Sequence, residues 1–376
     1  MEDDFKIRSV GEGSIIAKAS SIIAKSLEEY ANQKVPSAEE LSDDLFNEVL
    51  PKISEHVAEI FKKHVGGMLE DQRNYEEGFE ERLYERWQEP LDLLELLIRI
   101  AMEYGQNQKN KLDDITVDTN KYKFGALVKI HARACLVSNE ILSLLKAGYA
   151  DGANARWRTL YELAVVSSFL SKRDNDVSER YLDYDTVVRH KNVIHYQDYH
   201  KKLGYHPFTE EEIQEIKNER RRLCKQKYDM DFCEKKWGWI PNDVKSQQGK
   251  SQRGFTGLAK HVELDHWLPF YYLSSAALHG LSSGFYSLAL INQDAYLLCG
   301  PSNYGLVDPL QNASISLYQI TVALLNLRPD FESLVLMHTM ESLVSEIGHK
   351  AVNIQKTIEK EESTCIHTSA KKNKHA

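Results

Sequence analysis

Apolar residues recur every three to four positions along most of this chain, the spacing of one face of a helix. Leu45, Val49, Ile53, Val57 and Phe61 step by four and form one such stripe. A longer helix is predicted from near Tyr75, with Leu91, Leu94, Leu97, Ile98 and Ala101 on its inner face. Another runs from about Lys123 to Lys146 and buries Leu127, Ile130, Ala134, Val137, Ile141 and Leu144. Gly148 ends it, because glycine accepts the left-handed conformation that closes many helices. Asp151 is the expected N-cap of the next helix, about Gly152–Ser171. Ser178 is expected to open a helix through Arg180 to about Lys202. Thr209 and Glu212 form a capping box, the start of a charged helix that projects from the body. Residues 238–257 read as a mobile loop, rich in Gly, Ser, Gln and Lys. A strongly apolar helix follows from about Trp267 to Ile291, and two more around 309–327 and 330–360, with Pro329 at a helix start.

No alternating pattern of useful length marks a strand. The expected fold class is therefore all-α, a multi-helix bundle with a projecting charged helix and flexible tails. The expected organisation is an acidic helical region over 1–72, a helical core over 73–330 that carries a basic insert and loop at 205–260, a C-terminal helix at 331–360 and a disordered tail at 361–376. The first ~35 residues are also expected to be loosely held.

Charge sharpens this picture. Residues 1–100 carry 12 Lys+Arg against 23 Asp+Glu, whereas residues 201–260 carry 14 against 9. The acidic third either packs near the basic insert, or the insert faces a polyanion. The whole chain is acidic, at −9, which argues against a general nucleic-acid binder. With 42% apolar and 27% charged residues among 376, it can build a core. The start Met-Glu-Asp-Asp is unlike the basic start of a signal peptide. The longest apolar runs, Leu93–Met102 and Leu317–Leu327, fall short of the ~18 residues that span a bilayer. The five cysteines, Cys135, Cys224, Cys233, Cys299 and Cys365, lack zinc-ligand spacing and read as reduced thiols. A cytoplasmic protein without membrane association is expected.

Residues 139–162 contain a helix, a glycine turn and a second helix with Ala155, Arg158, Leu160 and Glu162 in a small-x-x-Arg-x-Leu-x-Glu pattern. Downstream lie the tyrosine-rich segment Arg180-Tyr-Leu-Asp-Tyr184 and a helix with Tyr271 or Tyr272, Ser275 and His279. These features resemble the DUF5677 family, over roughly residues 75–330. The resemblance implies an all-α fold rather than a reaction. It also implies a character similar to bacterial defence or abortive-infection proteins.

Several constellations could carry chemistry. Arg158 and Glu162 are four apart and share a helix face. Arg156 and Arg158 diverge by about 200°, so one of them faces inward if the helix is buried, and a buried arginine needs a carboxylate or phosphate partner. Arg158 and Glu162 are either a structural pair or part of an anion-binding cleft. Arg189 and His195 have Arg-x5-His spacing similar to the motif of HEPN ribonucleases, helical proteins that commonly dimerise to build their site. A histidine moves protons near neutral pH, and an arginine holds a phosphate and its developing charge. Six helical positions put the two about 240° apart, so the motif requires a helix end or bend between them. His279, four residues after Ser275 in an apolar helix, is either a core histidine or a catalytic one. Arg220-Arg-Arg222, Lys225 and Lys227, near Tyr228, Phe232, Trp237 and Trp239, are either a charged helix face or a track for single-stranded nucleic acid.

His195 with His200, the group His261, Asp265 and His266, and Glu140 facing Glu162 invite a metal reading. Neither the helix of Glu140 nor that of Glu162 carries a Glu-x-x-His pair, and no His-Glu-x-x-His occurs, so no metal is expected. Phosphate loops are absent from the sequence, and no cofactor is expected. Two functions follow. The first is a metal-independent, HEPN-like ribonuclease toxin in anti-phage defence, with Arg158, Glu162, Arg189, His195 and His279 lining its cleft. RNA is then the expected partner, with a homodimer and an antitoxin. The second is a non-enzymatic helical sensor or scaffold that binds a protein partner or small anion through an arginine cleft.

Overall fold

The computed structural model describes residues 50–113, 120–244, 254–278, 287–290 and 298–372, together with positions 20, 21, 23–25, 28 and 47. The chain divides into two compact units, Met1–Phe79 and Glu80–Ala376. Among the described residues every regular element is helical, as the spacing predicts.

In the first unit, the described structure is essentially the beginning of α1 (Leu50–Asp113). Ile53, Val57 and Phe61 are its half-buried face, while most of its other residues are exposed. Leu45 and Val49, the first members of that stripe, lie outside the described residues.

The second unit holds the core. It contains the rest of α1, then α2 (Lys121–Lys146), α3 (Ala150–Ser171), α4 (Asn175–Leu203) and α5 (Glu210–Arg222). A π-turn (Leu223–Lys227), a short α6 (Met230–Glu234) and α7 (Phe255–His261) follow. A 3-10 turn (Asp265–Trp267) leads into α8 (Leu268–Leu278), and α9 (Val307–Leu325) and α10 (Phe331–Lys372) complete it.

Helix α3 is central. It packs against α2, α9, α8 and α7, and α9 in turn packs on α2 and α10. A helix surrounded in this way must be apolar on several faces, and Ala153, Trp157, Leu160, Tyr161, Val165 and Phe169 are all buried. Polar atoms inside are matched across helices. Trp157 Nε1 donates to Ser316 Oγ at 3.0 Å, and His131 Nε2 lies 3.1 Å from Thr321 Oγ1. Leu91, Leu94, Leu97, Ile98 and Ala101 are fully buried, as their spacing predicts.

Helix boundaries bear out some expectations and correct others. Gly148, at φ +78°, ends α2 as expected. The box joining Thr209 and Glu212 caps α5 with both reciprocal hydrogen bonds. Asp151, by contrast, is not an N-cap but lies in the first turn of α3. Its carboxylate accepts the Leu288 amide at 2.9 Å and the Ser287 hydroxyl. Ser178 lies buried inside α4, which starts at Asn175. The apolar helix from Trp267 does not reach Ile291, because residues 288 and 289 form a turn anchored by Asp151.

The expected loop at 238–257 is partly ordered. Trp239, Ile240, Val244, Phe255 and Leu258 are buried, and α7 begins at Phe255. Residues 245–253 lie outside the described residues. Helix α10 continues to Lys372, through most of the expected tail. No Pro or Gly follows Gly348 to stop it, and Glu361 meets Arg86 at 3.1 Å.

Cys224 and Cys233 are joined in a disulfide, with Cα atoms 5.9 Å apart, which corrects the expectation of reduced thiols throughout. The chain reversal between the π-turn and α6 brings together two residues nine apart. No helix among the described residues is long and apolar enough to cross a membrane.

Candidate functional site

The residues that meet are Arg158 and Glu162 on α3 and Tyr271 on α8. The four-residue spacing puts the arginine and the carboxylate on the face that α8 covers. The Tyr271 hydroxyl joins them. It accepts from Arg158 Nη2 at 2.9 Å and donates to Glu162 Oε1 at 2.7 Å. The guanidinium carbon also lies 4.4 Å from the Tyr271 ring centroid, so the ring face supports the charge. Arg158 and Glu162 are both half-buried. Arg158 Nε is buried and has no hydrogen-bond partner among the described residues.

Aromatic rings fix this group from behind. Tyr271 lies 5.7 Å from Tyr161 and 4.8 Å from Phe255, ring centre to ring centre. Phe255 is followed at 6.2 Å by Trp237, whose φ of +65° is a left-handed backbone for a large side chain. Tyr161 donates its hydroxyl to the Leu264 carbonyl at 2.7 Å. Burial raises the Tyr271 pKa, and the Glu162 carboxylate raises it further, while Arg158 opposes them. Tyr271 therefore stays protonated near neutrality, with its proton directed at Glu162. The hydroxyl is a fixed relay between a cation and an anion, and the guanidinium keeps donors to spare.

Arg156 turns the other way, as the two-residue offset requires. It pairs with Glu140 of α2 and donates to Thr159 Oγ1 at 3.1 Å. Glu140 is thereby committed to an arginine rather than to a shared site with Glu162.

Arg189 and His195 do not join the cluster on α3 and α8. Both are exposed on α4, which runs unbroken from Asn175 to Leu203. The bend the motif requires is absent, so the two side chains leave the helix about 240° apart. His279 lies outside the described residues. Ser275, four residues before it, donates its hydroxyl to the Tyr271 carbonyl at 2.8 Å.

The basic run is also resolved into parts. Lys227 is tied to Glu179 and Asp183 at 2.7 and 2.8 Å, and Arg222 to Glu219. Phe232 and Trp239 are buried, which removes them as open stacking platforms. Arg180 lies between the Tyr228 and Phe232 rings, at 5.0 and 4.9 Å, and donates to the Gly238 and Trp239 carbonyls.

Every member of the Arg158–Tyr271–Glu162 group falls within one segment that a family model recognises. Residues 124–295 match the DUF5677 model. DUF5677 is a family of unknown function. The DUF5677 segment covers α2 through α8 and leaves out α1, α9 and α10, so it is narrower than the stretch expected from sequence motifs. No curated protein and no solved structure matches this chain.

The sequence pattern pointed to Arg158 and Glu162 by their spacing. Tyr271 was visible only as one of two adjacent tyrosines in a motif. Its alignment with α3 depends on the order in which the helices pack.

Proposed function

We propose that this chain is a helical binding protein that recognises a small anionic group through Arg158. The observation that carries this reading is the buried Arg158 Nε, without a partner, on a guanidinium already oriented by the Tyr271 ring and hydroxyl. Arginine has five donors in a planar fork, and a carboxylate or phosphate accepts two of them at once. Glu162 is held by Tyr271 and serves to position the tyrosine.

A second reading is a metal-independent ribonuclease of bacterial defence, in which two copies of the chain share a site. The exposure of both Arg189 and His195 on α4 favours it, since each is open to a second chain or to RNA. That site would be separate from Arg158.

One set of proteins tests both. Wild type, R158Q, R189Q, H195A and H279A are incubated with total RNA, with and without a chelator. The same proteins are melted in a panel of small carboxylates and phosphates. Intact RNA in every lane, with anion stabilisation lost only in R158Q, supports the binding reading. Chelator-resistant cleavage that disappears in R189Q and H195A supports the ribonuclease reading. No stabilisation by any anion removes the first.

A further inference from the structure

We propose that α4 and α5 form a phosphate-binding clamp from His190, Lys217 and Arg220, distinct from the Arg158 site.

The clamp follows from helix register. The chain reverses between α4 and α5 at Gly204, φ +71°, so the two helices run antiparallel. Ile213 and Ile216 of α5 are buried against Val193 of α4, with Phe208 packed alongside. One turn further along α5 come Lys217 and Arg220, four residues after Ile213 and Ile216. One turn earlier on α4 comes His190, three residues before Val193. Antiparallel packing brings these two steps to the same level, facing each other. His190 and Arg220 are half-buried there, and Lys217 is exposed at the rim.

Four carboxylates of α4 and α5 are already engaged. Asp183 accepts from Lys227 and from Tyr228, at 2.8 and 2.9 Å, and Glu179 accepts from Lys227. Glu219 holds Arg222 through two hydrogen bonds, at 2.9 and 2.7 Å. Glu212 is committed to the amide of Thr209. No carboxylate among the described residues lies within ion-pair distance of Arg220 or Lys217. Their charge falls instead on His190, whose pKa is lowered by burial first and then by Arg220 and Lys217.

A half-buried guanidinium with no counter-ion calls for an anion from outside. A phosphate fits the set: the arginine fork takes two oxygens, the lysine adds a point charge, and the imidazole donates once protonated. A bound dianion would reverse the field at His190 and draw a proton onto it.

The test is calorimetric titration of the full chain with inorganic phosphate and with pyrophosphate at pH 6.5, in two buffers of different ionisation enthalpy. Binding is expected, with more protons taken up by wild type than by H190Q, since the proton that phosphate sheds on binding as the dianion is common to both. Affinity should fall about tenfold or more in K217Q and in R220Q. The variants are also titrated in the R158Q background, so that phosphate held at Arg158 does not enter the comparison. K217Q changes an exposed side chain, so its loss of affinity would not reflect misfolding. A parallel titration with a short single-stranded RNA identifies the source of the phosphate. Tighter binding of RNA than of pyrophosphate assigns the clamp to a nucleic-acid backbone, and the reverse assigns it to a free phosphate compound. Absence of binding in wild type, or equal binding by wild type, K217Q and R220Q, would overturn the clamp.

Discussion

Tyr271 reaches from α8 to Glu162 on α3 and donates its hydroxyl proton across 2.7 Å. The same oxygen receives Arg158, so one tyrosine keeps an arginine and a glutamate four residues apart from pairing directly. Replacing Tyr271 by Phe keeps the ring and removes the link. The expected loss is about 1–2 kcal/mol, because two charge-assisted hydrogen bonds go while both ionic groups retain some access to water. Urea unfolding of Y271F against wild type measures it. E162Q should cost less than Y271F, since an amide oxygen still accepts the tyrosine proton.

Gly238 has no room for a side chain. A Cβ there would lie 2.3 Å from the Phe232 carbonyl oxygen and 2.6 Å from that of Asp231. Both obstacles are backbone and cannot swing aside. Gly238→Ala is expected to destabilise the fold by about 2–3 kcal/mol. Because Trp237 leads to Phe255 and then Tyr271, the effect should also reach the Arg158 site. Thermal melting gives the first effect, and Trp fluorescence at matched folded fraction gives the second.

His131 should make the fold acid-sensitive. Burial pushes its pKa down to about 4, against about 6.5 in an unfolded chain. Between these values the unfolded state binds the proton and the folded state does not. Stability is thus fully present above pH 6.5, falls as pH drops below it, and stops falling near pH 4. At pH 5 the loss from this group is roughly 2 kcal/mol. H131Q keeps a polar group opposite Thr321 and lacks the titration. The wild-type advantage over H131Q, from denaturation at pH 7 and pH 5, should shrink by that amount.

The bond between Cys224 and Cys233 closes a loop across the π-turn and α6. In the chain-entropy account a loop this short contributes about 2–3 kcal/mol. Dithiothreitol should lower the unfolding midpoint of wild type, and C224S/C233S should melt at the same lower midpoint with or without it. An unchanged midpoint in wild type would show that the bond does not hold the segment.

Fold class was legible because helical periodicity is local. The inner face of α1, the run of buried residues in α2 and the box at Thr209 each depend on side chains a few positions apart. The same locality explains the errors. Asp151 has the chemistry of an N-cap, yet its carboxylate serves the turn at Leu288, more than a hundred residues away in sequence. Residues 361–372 look like a polar tail, yet Tyr304 bonds Glu359 at 2.9 Å and Arg86 meets Glu361 as α10 runs into them.

By itself the sequence determined the helices, most of their buried faces, and the placement of Arg158 and Glu162 on one side of α3. These follow from a repeat of 3.6 residues, which any stretch of chain carries within itself. Tertiary structure alone decided that Tyr271 stands between those two charges and that Arg220 reaches the level of His190. Each of these depends on where a distant helix comes to rest, and that is set by how whole surfaces pack.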